Sequence, residues 1–388
     1  MNQLRQILLE RIGSGGPLSF RDFMDAALYH PEHGYYRSGR KRIGREGDFF
    51  TSSHVHAAFG ELVAGQIREM ADPFTGRRSS FWIIEAGPGE GHLAADMMRA
   101  LRPVSPGDPA RFRLGLVETS PALRRVQRRS LEKAGCLEGT VWWESLDELA
   151  GEPARNGCLV ANELLDALPV HRVVIRKGRL REIFVSARDG EFVETEGEPV
   201  GKEIAAYLRE EKIRLEEGQQ AEVNLGALEW ARATARVIGN GYWIVIDYGY
   251  PARELYAPER ARGTLLSYHR HRASEEFYRD VGERDLTAHL NFTALIRAAE
   301  RAGWRSCGIT NQMRFLISMG LLERIESIAG RADVGSVRER LALRQLIQPG
   351  GMGEQFKVLI FRRGEVSGDL RGLRDPFHAG MVGVEGTA

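Results

Sequence analysis

The sequence predicts an α/β protein built on a doubly wound, mostly parallel sheet, with an N-terminal helical arm and inserted α+β segments. Three observations carry this. From residue 81 short apolar runs alternate with helical patterns, the rhythm of strands joined by crossover helices. The first run, Phe81-Trp82-Ile83-Ile84-Glu85-Ala86, stops at an acid and enters Gly87-Pro88-Gly89-Glu90-Gly91, with helical periodicity starting at His92. After residue 170 the alternation breaks into hairpin-like segments before a buried strand returns at 242–247.

Taken in order, residues 1–12 read as an amphipathic helix and 13–17 as a Gly/Pro break. Ser19 is a helix N-cap with Asp22 in the capping-box position, and His30-Pro31 ends that helix because the residue before proline avoids the α region. His54 to Met70 reads as a helix with Val55, Phe59, Leu62, Val63, Ile67 and Met70 on one stripe. Strands are expected at 81–86, 112–118, about 140–143 and 158–161, with helices from about 92 to 102 and after Ser120-Pro121. A hairpin around Lys177-Gly178 follows. Residues 251–290 look irregular, 312–346 mostly helical, and 356–361 like the last sheet strand. The chain thus divides into an N-terminal helical arm and lid (1–75), a first half of the sheet domain carrying the glycine turn (76–170), an insertion (171–240), the remainder of the sheet domain with helical insertions (241–363) and a loose tail (364–388).

Composition excludes little but narrows the class. The 388 residues are 43% hydrophobic and 28% charged, ordinary values for a globular protein. A formal net charge of +1 gives no electrostatic case for nucleic acid or an anionic membrane. The three cysteines are far apart and form no C-x-x-C pair, so reduced core thiols are expected. No apolar run approaches the roughly 18 residues of a membrane span. The N-terminal helix lacks a signal-peptide apolar core, so a cytoplasmic protein is expected.

The glycine turn lets a ligand approach the backbone with no Cβ in the way. A dinucleotide fingerprint needs G-x-G-x-x-G beside a pyrophosphate, whereas Gly87, Gly89 and Gly91 are spaced G-x-G-x-G and follow Glu85. A carboxylate repels a pyrophosphate and attracts an ammonium. S-adenosylmethionine carries an amino-acid head and a ribose, and Glu118, at the end of the second strand beside Thr119, has the chemistry to accept both ribose hydroxyls. The candidate cofactor residues are therefore Glu85, Gly87, Pro88, Gly89, Gly91, Glu118, Thr119 and Asn162, with Trp143 and Glu144 placed to flank an adenine. Trp143 is equally well explained as core.

Ligands of open parallel sheets sit at the carboxyl ends of the strands. Asn162-Glu163-Leu164-Leu165-Asp166-Ala167-Leu168-Pro169 starts at such an end. Glu163 and Asp166 are candidate catalytic carboxylates, able to orient a guanidinium fork, although helix capping also favours acids there. His289 is a third candidate, orienting a carboxylate or accepting a proton. Gly47–Ser53 has the composition of a pocket cover, with Tyr35, Asp48, Phe49, Thr51 and Ser52 as candidate substrate or lid residues. His269 and His271 have no carboxylate or cysteine at ligand spacing, and no metal site is expected.

These segments together resemble the MidA-like methyltransferases, whose mitochondrial members are complex I assembly factors. The resemblance runs from about Leu18 to Arg362. It rests on Gly34-Tyr35-Tyr36, Gly47-Asp48-Phe49-Phe50-Thr51-Ser52, Glu85-Ala86-Gly87-Pro88-Gly89, Val117-Glu118-Thr119-Ser120-Pro121, Asn162 to Val170, Ile246-Asp247-Tyr248-Gly249, Asp285 to His289 and Met352 to Leu359. It implies a class I methyltransferase (Rossmann-like) fold, S-adenosylmethionine as cofactor, and a protein substrate methylated on arginine, a complex I subunit for the mitochondrial members. A small-molecule methyltransferase and a non-catalytic assembly chaperone remain as alternatives. The chain departs from the family pattern at Ser53 (usually Pro), Ala86 (Leu), Glu90 (Arg) and His92 (Thr).

Overall fold

The computed structural model describes residues 2–37, 51–74, 80–102, 111–152 and 154–377. Asp48 and Phe49 lie outside them. The centre is a sheet whose seven main strands are β1 (Phe81–Ala86), β2 (Phe112–Val117), β3 (Val141–Trp143), β4 (Arg155–Asn162), β5 (Ile238–Tyr250), β6 (Arg305–Asn311) and β7 (Phe356–Arg363). Their order across the sheet is β3-β2-β1-β4-β5-β7-β6. All pairs are parallel except those of β7, which runs antiparallel to both neighbours. This is the doubly wound α/β arrangement expected above.

The inner strands β1, β4 and β5 are near-continuous apolar runs because helices cover both sheet faces. On one face, helix Ala58–Ala71 packs beside helix His92–Ala100 and buries Phe59, Val63, Ile67 and Met70, the stripe read from the sequence. Helices Leu225–Val237 and Phe292–Arg301 cover the other face. β6 closes the edge as Arg-Ser-Cys-Gly-Ile-Thr-Asn, a half-exposed and mostly polar strand, which suits an unpaired edge.

A second, antiparallel sheet comprises Leu18–Ser19, His171–Arg176, Arg179–Arg188, Glu191–Gly197 and Gln220–Val223. Its hairpin turns at Lys177 and Gly178, with φ of 53° and 70°, the left-handed pair that matches strand twist. Through Leu18–Ser19 the N-terminal arm becomes part of this sheet, and Tyr29 donates a hydrogen bond to the Ala167 carbonyl at 3.0 Å. The arm is thereby seated beside the carboxyl end of β4.

Two expectations need correction. Residues 251–290 contain a small sheet, Leu266–His269 between Arg272–Ser274 and Asp285–Thr287. These strands have three or four residues, too few for an alternation to show. The chain from 364 to 377 is not loose either. Val366 and Leu370 are buried in the core, and the Gly372 N–H donates to the Gln66 side chain at 2.8 Å. Its glycines masked two well-spaced apolar anchors.

Candidate functional site

Four acids stand at or just beyond the carboxyl ends of neighbouring strands: Glu85 on β1, Glu118 after β2, Glu163 after β4 and Asp247 near the end of β5. The three glutamates line a cavity of ≈ 1000 Å³, and Asp247 is fully buried behind it.

The glycine turn forms one wall. Gly87, Gly89 and Gly91 have φ of 63°, 52° and 82°. A Cβ on Gly87 would lie 2.6 Å from Leu164 Cδ1 on the opposite wall, so this backbone and this spacing both call for glycine. Gly91 is set back as the left-handed residue that starts helix His92–Ala100. Glu85 is buried. Its Oε2 has no hydrogen-bond partner, and burial pushes its carboxyl up to about 8 against a hydrogen bond from the Ala94 N–H. Asn162 Oδ1 is likewise buried and unpaired. Two acceptors are thus waiting for donors at the mouth of β1 and β4, which is the complement of an ammonium group.

Glu118 accepts from the Ser120 N–H at 2.7 Å and from Gln127 Nε2 at 3.1 Å. Burial still raises its pKa. Gln127 also donates to the Gly89 carbonyl at 2.8 Å and accepts from Trp142 Nε1 at 3.0 Å. One buried amide therefore ties the glycine turn, the β2 acid and β3 together. Sequence reasoning missed Gln127, a polar residue in an Arg-rich helix with no local mark of its partners. Pro88, Thr119 and Glu144 are on the cavity wall. Trp143 is not. It is core, packed over Gly115 and Trp82, with its Nε1 donating to Glu152.

At the far wall Glu163 accepts from the Ser52 N–H at 3.1 Å and from Asn162 Nδ2 at 3.2 Å. Its φ is +50°, a conformation that costs about 1–3 kcal/mol in a residue other than glycine. Asp247 holds it. The Oδ2 of this fully buried acid accepts from the N–H groups of Leu164, Leu165 and Asp166 at 3.3, 2.9 and 3.3 Å. Asp247 has the same sequence signature as Glu85, an acid at the end of an apolar strand, but nothing near it in the sequence marks what it holds. Replacing it with alanine leaves three buried N–H groups unpaired, each worth about 1–3 kcal/mol. A loss of about 3 kcal/mol or more in a urea melt is the expected result.

Burial pushes the Glu163 carboxyl up to about 8, helped by Asp247, and the Asp247 carboxyl up to about 7. Asp166 is also raised, by burial first and then by Asp247 and Asp285. It is buried behind Glu163 rather than on the cavity wall, with its carbonyl accepting from the Ala288 N–H. Tyr35 and Thr51 are on the wall, while Ser52 is buried behind it and donates to Gln312 at 2.9 Å. His289 is a correction. It lines a separate cavity of ≈ 210 Å³ with Arg260 and Arg172, stacked on Tyr248 at 5.8 Å. Burial, then Arg260, lowers its pKa to about 4. It follows the short sheet at 266–287, unseen in the sequence, and lines this second cavity rather than the one that Glu163 lines.

Residues 60–310 match the model of a family described as "Putative S-adenosyl-L-methionine-dependent methyltransferase". The chain belongs to this family. The methyltransferase is also similar over its length to a Burkholderia thailandensis protein whose crystal structure was solved bound to S-adenosyl-homocysteine. The identity is 31%, with 95% of this chain and 94% of that one covered and a TM-score of 0.84. Among curated relatives, the Drosophila melanogaster "Protein arginine methyltransferase NDUFAF7 homolog, mitochondrial" is 29% identical over 95% of this chain and 86% of its own. The human NDUFAF7 protein is 28% identical over 90% and 81%. The methyltransferase uses S-adenosylmethionine as its cofactor. The cytoplasmic address expected from the sequence is overturned, because these relatives are named as mitochondrial proteins. None of the described helices is long and apolar enough to cross a membrane.

Proposed function

We propose that the methyltransferase acts on an arginine side chain of a partner protein, and that this partner is a respiratory-complex subunit. The observation that carries the reading is the Glu163 carboxylate on the cavity wall, backed by Asp166 and Asp247. A guanidinium stays protonated in proteins, and a fixed carboxylate both orients its fork and localises its charge. The names of the curated relatives, and the resemblance to a family with complex I assembly factors, support the same substrate class.

In this reading Glu85 and Asn162 hold the amino-acid head of the cofactor, and Glu118, set by Gln127, holds its ribose. Bound S-adenosylmethionine supplies an electrophilic methyl group on a sulfonium. Glu163 binds the incoming guanidinium and keeps one nitrogen aimed, and Asp247 keeps Glu163 in its strained conformation. Tyr35 and Thr51 wall the target side chain and exclude water. The Glu163 carboxyl, protonated in the empty site, gives up that proton when the cation arrives and then stands beside the nitrogen that must shed one.

Tritiated-methyl transfer into a lysate of cells lacking this protein tests the proposal. A labelled protein band, with methylarginine identified by mass spectrometry, is expected. Label confined to small molecules, or found on another side chain, overturns it.

The cofactor subsite also has a pH signature. Below about 8 the empty-site Glu85 is protonated, whereas an ammonium requires the carboxylate, so binding expels a proton. Affinity for S-adenosylhomocysteine should fall as pH drops below 8, by up to about tenfold per unit. Calorimetry in buffers of different ionisation heat reads the proton directly, and Glu85→Gln should remove it.

A further inference from the structure

At one corner of the cavity three side chains converge that have no part in the reading above. We propose that His54, Glu90 and His92 form a binding site for one divalent first-row transition-metal ion of the zinc class.

The potential ligand atoms of the three residues all lie within 4.8 Å of one another. His92 Nε2 is 3.2 Å and His54 Nε2 3.9 Å from the same carboxylate oxygen, Glu90 Oε2. The imidazoles meet edge to face, with centroids 4.6 Å apart and planes at 85°. Tetrahedral zinc with bonds of about 2.0–2.1 Å separates its ligand atoms by about 3.3 Å. The Glu90–His92 pair is already at that spacing, and His54 needs only a small side-chain adjustment. Two imidazoles and one carboxylate leave a position open for water, the donor set of an accessible zinc site.

A further observation points to an ion rather than a plain histidine–carboxylate pair. His54 is outwardly fixed and inwardly unpaired. Its Nδ1 is 2.6 Å from Thr51 Oγ1, which in turn lies 2.9 Å from Ser53 Oγ, while its buried Nε2 has no hydrogen-bond partner. A metal-bound histidine has this pattern, with an oxygen on the far nitrogen setting the tautomer and orientation.

The ligands stand on firm backbone. His54 is in the short helix Ser52–Val55, pinned by Ser52 to Glu163 and Gln312. Glu90 and His92 flank Gly91 at the start of helix His92–Ala100. A bound ion would cross-link these two elements at the cavity lip, where His54 and Glu90 are wall residues. No local motif marks the cluster, because residues 54 and 90–92 meet only in the fold.

The test is calorimetry of tag-free, chelator-washed full-length protein with zinc chloride, which does not depend on any substrate or on the methyl-transfer reading. One zinc per chain at micromolar or tighter affinity is expected. His92→Thr, at a half-exposed position, and His54→Gln should each weaken it about 100-fold or more, whereas His33→Gln, on the N-terminal arm, should leave it unchanged. X-ray absorption at the zinc edge of the wild-type protein should show two imidazole ligands, a readout that survives if a variant misfolds. Absence of micromolar binding to the wild type, wild-type affinity in His92→Thr, or a zinc environment without two imidazoles overturns the proposal.

Discussion

Gly87→Val is expected to abolish binding of S-adenosylmethionine and S-adenosylhomocysteine, with affinity falling at least about 100-fold and methyl transfer falling with it. Two independent costs coincide at this residue. Its φ of 63° is a region that β-branched residues almost never enter. Its Cβ would also press to 2.6 Å from Leu164 Cδ1. Leu164 lines the same cavity, so the clash falls where the ligand head must lie. Gly87→Ala should be intermediate, since it keeps the backbone strain and the first contact but not the branching. Calorimetry with S-adenosylhomocysteine decides the matter, and retention of affinity within tenfold in the valine variant would contradict the assignment of the turn.

The second large effect is expected at Glu163. Glu163→Gln keeps the shape and an acceptor for the Ser52 N–H but removes the charge. Losing a charge aimed at a reacting group costs about 100- to 1000-fold in kcat, while cofactor affinity should stay within several-fold because Glu85, Glu118 and Gln127 are untouched. Glu163→Ala should do more, since it also frees Ser52 and with it the start of helix Ser52–Val55. The split between an unchanged dissociation constant and a collapsed kcat, measured in single-turnover methyl transfer, is the diagnostic. If Glu163→Gln retains more than about a tenth of wild-type kcat, Glu163 is a capping residue and not the receiver of the target cation.

Much of this architecture is legible in the sequence. The span of β1 matches its sequence signature to the residue, because a buried parallel strand leaves a near-continuous apolar run with a glycine stop. The acids Glu85, Glu118 and Glu163 stand out because each lies at or within two residues of the end of such a run. What stayed hidden depends on side chains reaching across the fold. Gln127 contacts Gly89, Glu118 and Trp142 from the middle of a helix whose local sequence speaks only of surface arginines. Asp247 works on a turn some eighty residues earlier in the chain. His289 was misplaced because the family-like motif around it carried no information on which cavity it would face. Trp143 illustrates a different limit, since an aromatic at a strand end suits core and ligand equally well until the facing residue, here Gly115, is known.

The position of β7 has a consequence for how the protein is made. β7 lies between β5 and β6 and pairs along the middle of β5, from Gly241↔Arg363 to Tyr248↔Phe356. During translation β5 emerges with β4 available on one side, but its other side stays bare until residues 251–355 and then β7 itself have left the ribosome. For that interval the nascent chain carries an apolar strand with a full row of unmatched backbone donors and acceptors, the kind of edge that recruits foreign strands. Asp247 sits on that strand, so the acid that holds the turn after β4 has one flank of its own strand open for that interval. The vulnerability ends with the insertion of one late strand.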